Sequence, residues 1–380
     1  MASSTTLKLR NIWFQLHKWI GILLAVLLIP LSLTGSALVW HDDLEKLLYP
    51  QRFVVSENQE LLAPSTYVAA AKARLDANDR ISAVRFSKTG EPVAVTAIRA
   101  PADGSAPRGR PLRTSVWLEP ATARVLDVAD GNSGIIRTLH VLHGSLMIPG
   151  VGRQIVGWLG VAMFLSCLTG IWLWWPTVGR WTKGLRWRRS RDLDTNLHHL
   201  TGFWVAIPLG MLCFTGTWIS FPAFFGALSG QPANMGDRMA AMRALPIASP
   251  ALTVDAALAA TRAGAGARDP LSIEFPTDRP SPWKVSLESE NRAAFTIDDA
   301  TGEATADNAK PDQGRAGIAR TMRQWHDGTR MGIVWQVVIF VGGLIPAMLG
   351  VTGITMWLRT RKWRGKAARR SGTAQPAPAE

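Results

Sequence analysis

Cysteine is nearly missing from this chain: Cys167 and Cys213 are the only two in 380 residues. Each sits inside an apolar run, two residues before a Thr-Gly pair. Such thiols build neither a disulfide framework nor a thiolate metal site, and packing accounts for them. No Gly-x-Gly-x-x-Gly follows a predicted strand, which removes the nicotinamide and flavin dinucleotide fingerprint. Tyrosine is also scarce, two residues against seventeen tryptophans. Charge is missing from the central turns of four long apolar stretches, roughly 19–40, 153–176, 199–222 and 332–358. Each approaches or exceeds the ~20 residues needed to cross a ~30 Å hydrocarbon core.

What is present fits lipid. The chain is 47% hydrophobic yet carries a formal net charge of +14. The cations cluster beside the apolar stretches: Lys8, Arg10 and Lys18; then Arg180 to Arg191; then Arg359 to Arg370. With four spans, all three clusters fall on one side, so the basic flanks predict both termini in the cytoplasm. The charge then serves topology and attraction to lipid headgroups, and nucleic acid is not expected as a partner. The run from Trp19 to Trp40 exceeds the 7–15 apolar residues of a cleavable signal peptide, which predicts an uncleaved anchor.

Four of the seven histidines occupy matching places in an internal repeat. His17 in Leu16-His17-Lys18-Trp19-Ile20-Gly21 precedes Thr34-Gly35 by seventeen residues, and His198 precedes Thr215-Gly216 by the same distance. Gly134-Ile135-Ile136-Arg137-Thr138 ends five residues before His143, and Gly317-Ile318-Ala319-Arg320-Thr321 ends five before His326. Twenty-six residues beyond those histidines stand Thr169-Gly170 and Thr352-Gly353. A duplicated imidazole can supply two opposed ligands to one metal. A single histidine at a span end is most simply a headgroup-level residue; two in the same frame favour ligation. The glycine four residues on from His17 and His198 is expected to leave room for a flat ring.

Two ligands per level with no neighbouring carboxylate or thiolate do not suit zinc, which takes four compact ligands. A large flat cofactor suits them better. The expectation is two haem b groups, one on His17 and His198, the other on His143 and His326, each six-coordinate and disposed to electron transfer. No Cys-x-x-Cys-His occurs, so attachment would be non-covalent. Weaker candidates are His199, as the ligand if the helix is rotated by one residue, and His140, near a propionate or a substrate. Arg137 and Arg320 are candidate propionate partners, although six residues place them about 120° off the histidine face. His41 is expected to cap the first span at the interface.

Between the spans, Ser65 to Asn78 and Thr253 to Arg262 read as Ala-rich helices, the first with a serine N-cap. Strands are predicted at Ile81 to Ser87, Pro92 to Ile98 and Thr114 to Leu118, turning into Val125-Leu126. The second set is Leu271 to Phe275, Trp283 to Leu287, and Ala294 to Ile297, turning through Asp298-Asp299-Ala300-Thr301-Gly302. Ala100 to Arg113 reads as a hairpin loop and Gly372 to Glu380 as a disordered tail.

The fold class expected is membrane α-helical: a four-helix transmembrane bundle from a tandem repeat, carrying two small α+β modules, with a pseudo-twofold axis along the membrane normal. The boundaries are 1–18, cytoplasmic; 19–40, first span; 41–142, first module and pre-span helix; and 143–176, outer histidine segment and second span. They continue as 177–197, basic loop; 198–222, third span; 223–325, second module; 326–358, second outer histidine segment and fourth span; and 359–380, basic or disordered tail.

These residues resemble the PepSY-associated transmembrane family, also called iron-regulated membrane proteins. The resemblance rests on the Leu-His-x-x-x-Gly frames, the histidines preceding the second and fourth spans, the Thr-Gly pairs and the Asp-x-x-Thr-Gly turn. It departs at Glu119-Pro120-Ala121-Thr122-Ala123, which lacks the final glycine. The resemblance implies PepSY-like periplasmic modules, a bacterial inner-membrane location and, through the ferric-siderophore reductases, reduction of hydroxamate-bound iron. Without a dinucleotide fingerprint, electrons are expected from quinol or a cytoplasmic reductase. The rival expectations are a sensor or regulatory membrane protein without redox activity, and a siderophore transporter. The transporter would place broken spans and ionisable groups at the midplane, which the sequence does not show.

Overall fold

The computed structural model describes residues 4–56, 60–86, 90–101, 111–175, 181–186, 190–229, 240, 243–266, 268–279, 282–288, 293–306 and 315–372. Contacts divide the chain into two units, one of residues 1–40, 139–225 and 318–380, the other of residues 41–138 and 226–317. Among the described residues the helices named here are, in chain order, α1 (Ser4–Val39), α2 (His41–Leu48), α3 (Pro64–Lys72), α4 (Ile135–Ser145), α5 (Gly152–Trp174) and α6 (Leu193–Ser220). They continue with α7 (Pro222–Leu228), α8 (Val254–Ala260), α9 (Arg262–Ala265), α10 (Arg315–Asp327) and α11 (Gly332–Gly372).

In the first unit, α1, α5, α6 and α11 contain segments long and apolar enough to cross a membrane: Thr5–Val39, Gly152–Trp174, Leu193–Ser220 and Gly332–Trp363. This is a membrane helical protein. The helices overrun the expected spans at the basic ends. α1 starts at Ser4, and α11 runs to Gly372 through residues expected as tail, because nothing in those polar flanks breaks a helix. Residues 373–380, most of the predicted hairpin loop and part of the basic loop lie outside the described residues.

α1 packs against α5 and α11, and α6 against the same two, so α1 and α6 face one another diagonally. Small residues bring the backbones close. A Cβ on Gly343 would lie 2.5 Å from Ser36 Oγ, and one on Gly160 the same 2.5 Å from Thr217 Oγ1. Ser36 Oγ donates to Phe340 O at 3.0 Å, so the hydroxyl finds its acceptor inside the bundle.

The second unit corrects the expectation of two separate modules. Its strands form one antiparallel eight-stranded sheet in the order β4-β3-β2-β1-β5-β6-β7-β8. They are β1 (Asp79–Arg85), β2 (Val93–Arg99), β3 (Arg113–Leu118), β4 (Val125–Asp130), β5 (Pro270–Glu274), β6 (Trp283–Leu287), β7 (Ala293–Ile297) and β8 (Ala304–Ala306). The join is β1 to β5, with Val84 opposite Ile273. Two four-stranded sheets would each leave an open edge there, and pairing those edges satisfies both rows of backbone groups. Tyr67 and Ala71 of α3, Ala257 of α8, and Val84, Val95, Val116, Ile273, Trp283 and Val285 share one core.

Two local expectations also change. Ser65 is not the cap of α3: Pro64 opens the helix and the Ser65 N–H donates to Asp255 Oδ1 at 2.9 Å. Thr253 does cap α8, accepting from Ala256 N at 3.1 Å. The final glycine missing from the first turn proves dispensable, because Ala123 adopts φ +53°, close to the +72° of Gly302. The longer Glu119 carboxylate replaces Asp298 as the turn's acceptor, taking hydrogen bonds from Thr122 Oγ1 at 2.8 Å, Ser56 N at 3.1 Å and Arg124 Nε at 3.1 Å. Arg52, 7% exposed, lies 3.9 Å from the ring centres of both Tyr49 and Trp117 and pairs with Glu45 and Asp127.

Hydrogen bonding from Thr122, then Ser56, holds the Glu119 pKa down to about 2 from 4.5. A depressed carboxylate stabilises the fold above its unfolded pKa and loses that contribution as pH falls through its folded pKa. Acid unfolding of the wild type should therefore include a loss of stability between pH 4.5 and about 2 that Glu119→Gln lacks. Equal acid sensitivity in the two proteins would contradict this. Arg52→Ala strips the partner from two carboxylates and should destabilise by about 3–5 kcal/mol, read as a lower urea midpoint, with Arg52→Lys intermediate because it cannot stack as a plane.

Candidate functional site

The four repeated histidines converge in two pairs inside the helical unit. His17 of α1 and His198 of α6 have ring centroids 6.3 Å apart and planes at 84°. His143 of α4 and His326 of α10 stand 6.1 Å apart at 38°. His17 and the Thr34-Gly35 pair that meets His143 are seventeen residues apart on one helix, about 25 Å of rise. The two levels are therefore separated by most of a bilayer core.

Each ring packs on the glycine of a Thr-Gly pair, and three of the four also meet its threonine hydroxyl. The His17 Nδ1–H donates to Ser166 O at 3.1 Å and meets Thr169 Oγ1 at 3.1 Å. His143 donates from Nδ1 to Leu31 O at 2.9 Å, the carbonyl three residues before Thr34. His198 Nδ1 meets Thr352 Oγ1 at 3.0 Å and also bonds the Leu349 backbone. His326 Nδ1 meets Thr215 Oγ1 at 3.0 Å and bonds the Leu212 backbone.

Each threonine hydroxyl has a carbonyl of its own helix to donate to, which leaves its oxygen free to accept from the ring. Thr34 donates to Pro30 O, Thr169 to Ser166 O, Thr215 to Met211 O and Thr352 to Met348 O. Carbonyl and hydroxyl oxygens on Nδ1 thus fix the proton there. A neutral imidazole protonated at Nδ1 keeps its lone pair on Nε2, the state in which it binds a metal, with orientation set by the opposite nitrogen.

The glycines make the fit possible. A Cβ on Gly35 would lie 2.6 Å from His143 Cε1; on Gly216, 3.0 Å from His326; on Gly170, 3.2 Å from His17; and on Gly353, 3.6 Å from His198. Gly21 and Gly202 do not receive the histidine rings: a Cβ on Gly21 meets nothing within 4 Å, and one on Gly202 meets only Leu349 at 3.8 Å. The partner glycine sits on the helix the ring packs against, which spacing along the ring's own helix could not reveal. Its signal was in the sequence, in four Thr-Gly pairs at fixed distances.

A model of the PepSY-associated TM region matches residues 14–360. The chain belongs to the PepSY-associated TM family. A stretch of 92 residues is also 38% identical to an uncharacterized protein of Pseudomonas aeruginosa, covering 23% of this chain and 20% of that relative. The chain thus spans only about one fifth of the relative it matches.

In this PepSY-associated TM protein the weaker candidates do not join the pairs. The ring opposite His17 is that of His198, and His199 lies edge-on to His198 at 6.4 Å. His140 is exposed on α4, Arg137 half-buried on the same helix and Arg320 exposed on α10. His41 opens α2 with its Nε2 3.2 Å from Asp42 Oδ1. Among the described residues no group of three or more His, Cys, Asp or Glu could hold a metal ion. The metal-binding chemistry on offer is the two imidazole pairs.

An alanine methyl at Gly35 must displace a tethered ring, so Gly35→Ala should cost about 1–3 kcal/mol in thermal unfolding of the detergent-solubilised protein. Gly353→Ala, with 3.6 Å available, should stay within about 0.5 kcal/mol of wild type. Equal effects at the two positions would contradict the cradle.

Proposed function

We propose that this protein carries electrons across the bacterial inner membrane through two bis-histidine haem b sites and reduces ferric hydroxamate siderophores on the periplasmic side. The observation that supports it most is the pair geometry. Metal–imidazole bonds are about 2.0 Å and a ring nitrogen lies about 1.1 Å from its centroid, so opposed imidazoles on one metal have centroids roughly 6.2 Å apart. The pairs measure 6.3 and 6.1 Å. The donor set fits as well: two neutral imidazoles per level, Nε2 available, and no third ligand among the described residues.

Bound there, the haems would supply one-electron chemistry at two depths. The chain's part would be to hold each imidazole in its Nδ1–H form, to offer two imidazoles to each haem, and to exclude water from the bundle. Met163, Cys167, Val205 and Leu209 form a buried apolar cluster there, with Cys213 packed against it. The thiols serve packing.

The basic flanks support a cytoplasmic location for both termini and a periplasmic one for the sheet unit, with His143 and His326 at the outer level. Quinol or a cytoplasmic reductase supplies one electron per ferric ion, and the reduced Fe(II) leaves the hard oxygen donors that held Fe(III). No general acid or covalent nucleophile is required.

Purified protein should contain two haems extractable into acidified organic solvent, with absorption bands that shift on reduction. Protein supplied with haem during expression that carries none would be a sensor or regulatory protein, not a reductase. His198→Ala should remove one haem and leave the other spectrum intact, and His199→Ala should remove none. In sealed vesicles, pre-reduced protein should be reoxidised by a ferric hydroxamate offered on the sheet side, and His326→Ala should slow this at least tenfold. Reoxidation at equal rates from both sides would exclude the proposed acceptor site.

A further inference from the structure

Among the described residues, one buried side-chain polar atom has no hydrogen-bond partner: the indole Nε1 of Trp174. Trp174 is 3% exposed, and its ring stacks on Phe203 of α6 with centroids 3.9 Å apart and planes at 20°. Buried indoles ordinarily find an acceptor for N–H, and in a bundle surrounded by lipid no water is at hand to provide one.

The position of the ring identifies the acceptor. Trp174 lies four residues beyond Gly170, hence one turn further along the face of α5 that receives His17. Phe203 lies five residues beyond His198 on α6. Because α5 and α6 run antiparallel, the indole occupies the corner between them at a depth between Gly170, which receives His17, and His198. Arg10 Nη1 donates to Trp175 O at 3.0 Å, which puts a cation beside the same end of α5. An unmet N–H with a guanidinium nearby suits an anionic oxygen. The matching indole, Trp357, four residues beyond Gly353, also has an arginine above it, Arg361, 5.5 Å from the ring centre.

Resting on the haem reading of the His17–His198 pair, we propose that Trp174 Nε1–H donates a hydrogen bond to a propionate carboxylate of the haem held there. Trp174 is thus a positioning residue for that haem and raises its reduction potential. The donor withdraws electron density from the carboxylate and weakens its stabilisation of the ferric state.

Trp174→Phe keeps an aromatic ring against Phe203 and removes only the N–H; Phe203→Leu removes the stacking and keeps it. The experiment is a spectroelectrochemical titration of the wild type and both variants. It is joined to an ultraviolet resonance Raman difference spectrum, wild type minus Trp174→Phe, in which the indole ring mode reports hydrogen bonding. Expected are two haems in each protein, a fall in one potential in Trp174→Phe with the other unchanged, near wild-type potentials in Phe203→Leu, and a hydrogen-bonded indole band. Loss of the inner haem from Trp174→Phe but not from Phe203→Leu supports the proposal equally. Unchanged potentials in Trp174→Phe, the same fall in Phe203→Leu, or a free-indole band would overturn it. Absence of haem from the wild type would overturn the functional reading first, and this with it.

Discussion

The bundle is organised around one interaction made four times, an imidazole Nδ1–H lodged against a neighbouring helix, joined in three of the four by the threonine hydroxyl of a Thr-Gly pair. It solves two problems together. A histidine within a lipid-embedded bundle needs a partner for its N–H, and the metal ligation proposed for these rings needs the other nitrogen left bare. Carbonyls already engaged in a helix keep a second lone pair, so the helix supplies the acceptor without breaking. Threonine adds a second oxygen while giving its own proton to the preceding turn, and glycine lets the ring approach the backbone.

The helix arrangement follows from the same contacts. His17 reaches from α1 to α5 and His198 from α6 to α11, while His143 packs on α1 and His326 on α6. Every contact of this kind lies within one half of the sequence, whereas each imidazole pair joins the two halves. The Ser36–Gly343 and Gly160–Thr217 approaches also cross between halves. A single half would hold its rings in place and have nothing opposite them.

The sheet unit obeys the same logic. Each half contributes four strands, and neither satisfies the edge it would expose at β1 or β5 until the two are paired. The turns between β3 and β4 and between β7 and β8 share one backbone path although one ends in alanine and the other in glycine. Glu119 draws enough donors to keep its turn closed around Ala123 in the left-handed region.

Apolar length, basic flanks and the spacing of histidines and Thr-Gly pairs are properties of the chain read locally. They made legible the four apolar helices, seven of the eight strands, and the four histidines that meet in pairs. Helix ends at the basic flanks were not legible, because polar residues neither forbid helix nor require its end. Which glycine receives which ring, the choice of His198 over His199, the joining of the sheets through β1 and β5, and the unmet N–H of Trp174 were decided only by tertiary structure. Each depends on two elements distant in sequence meeting at a particular rotation, and periodicity along one element carries no information about what faces it.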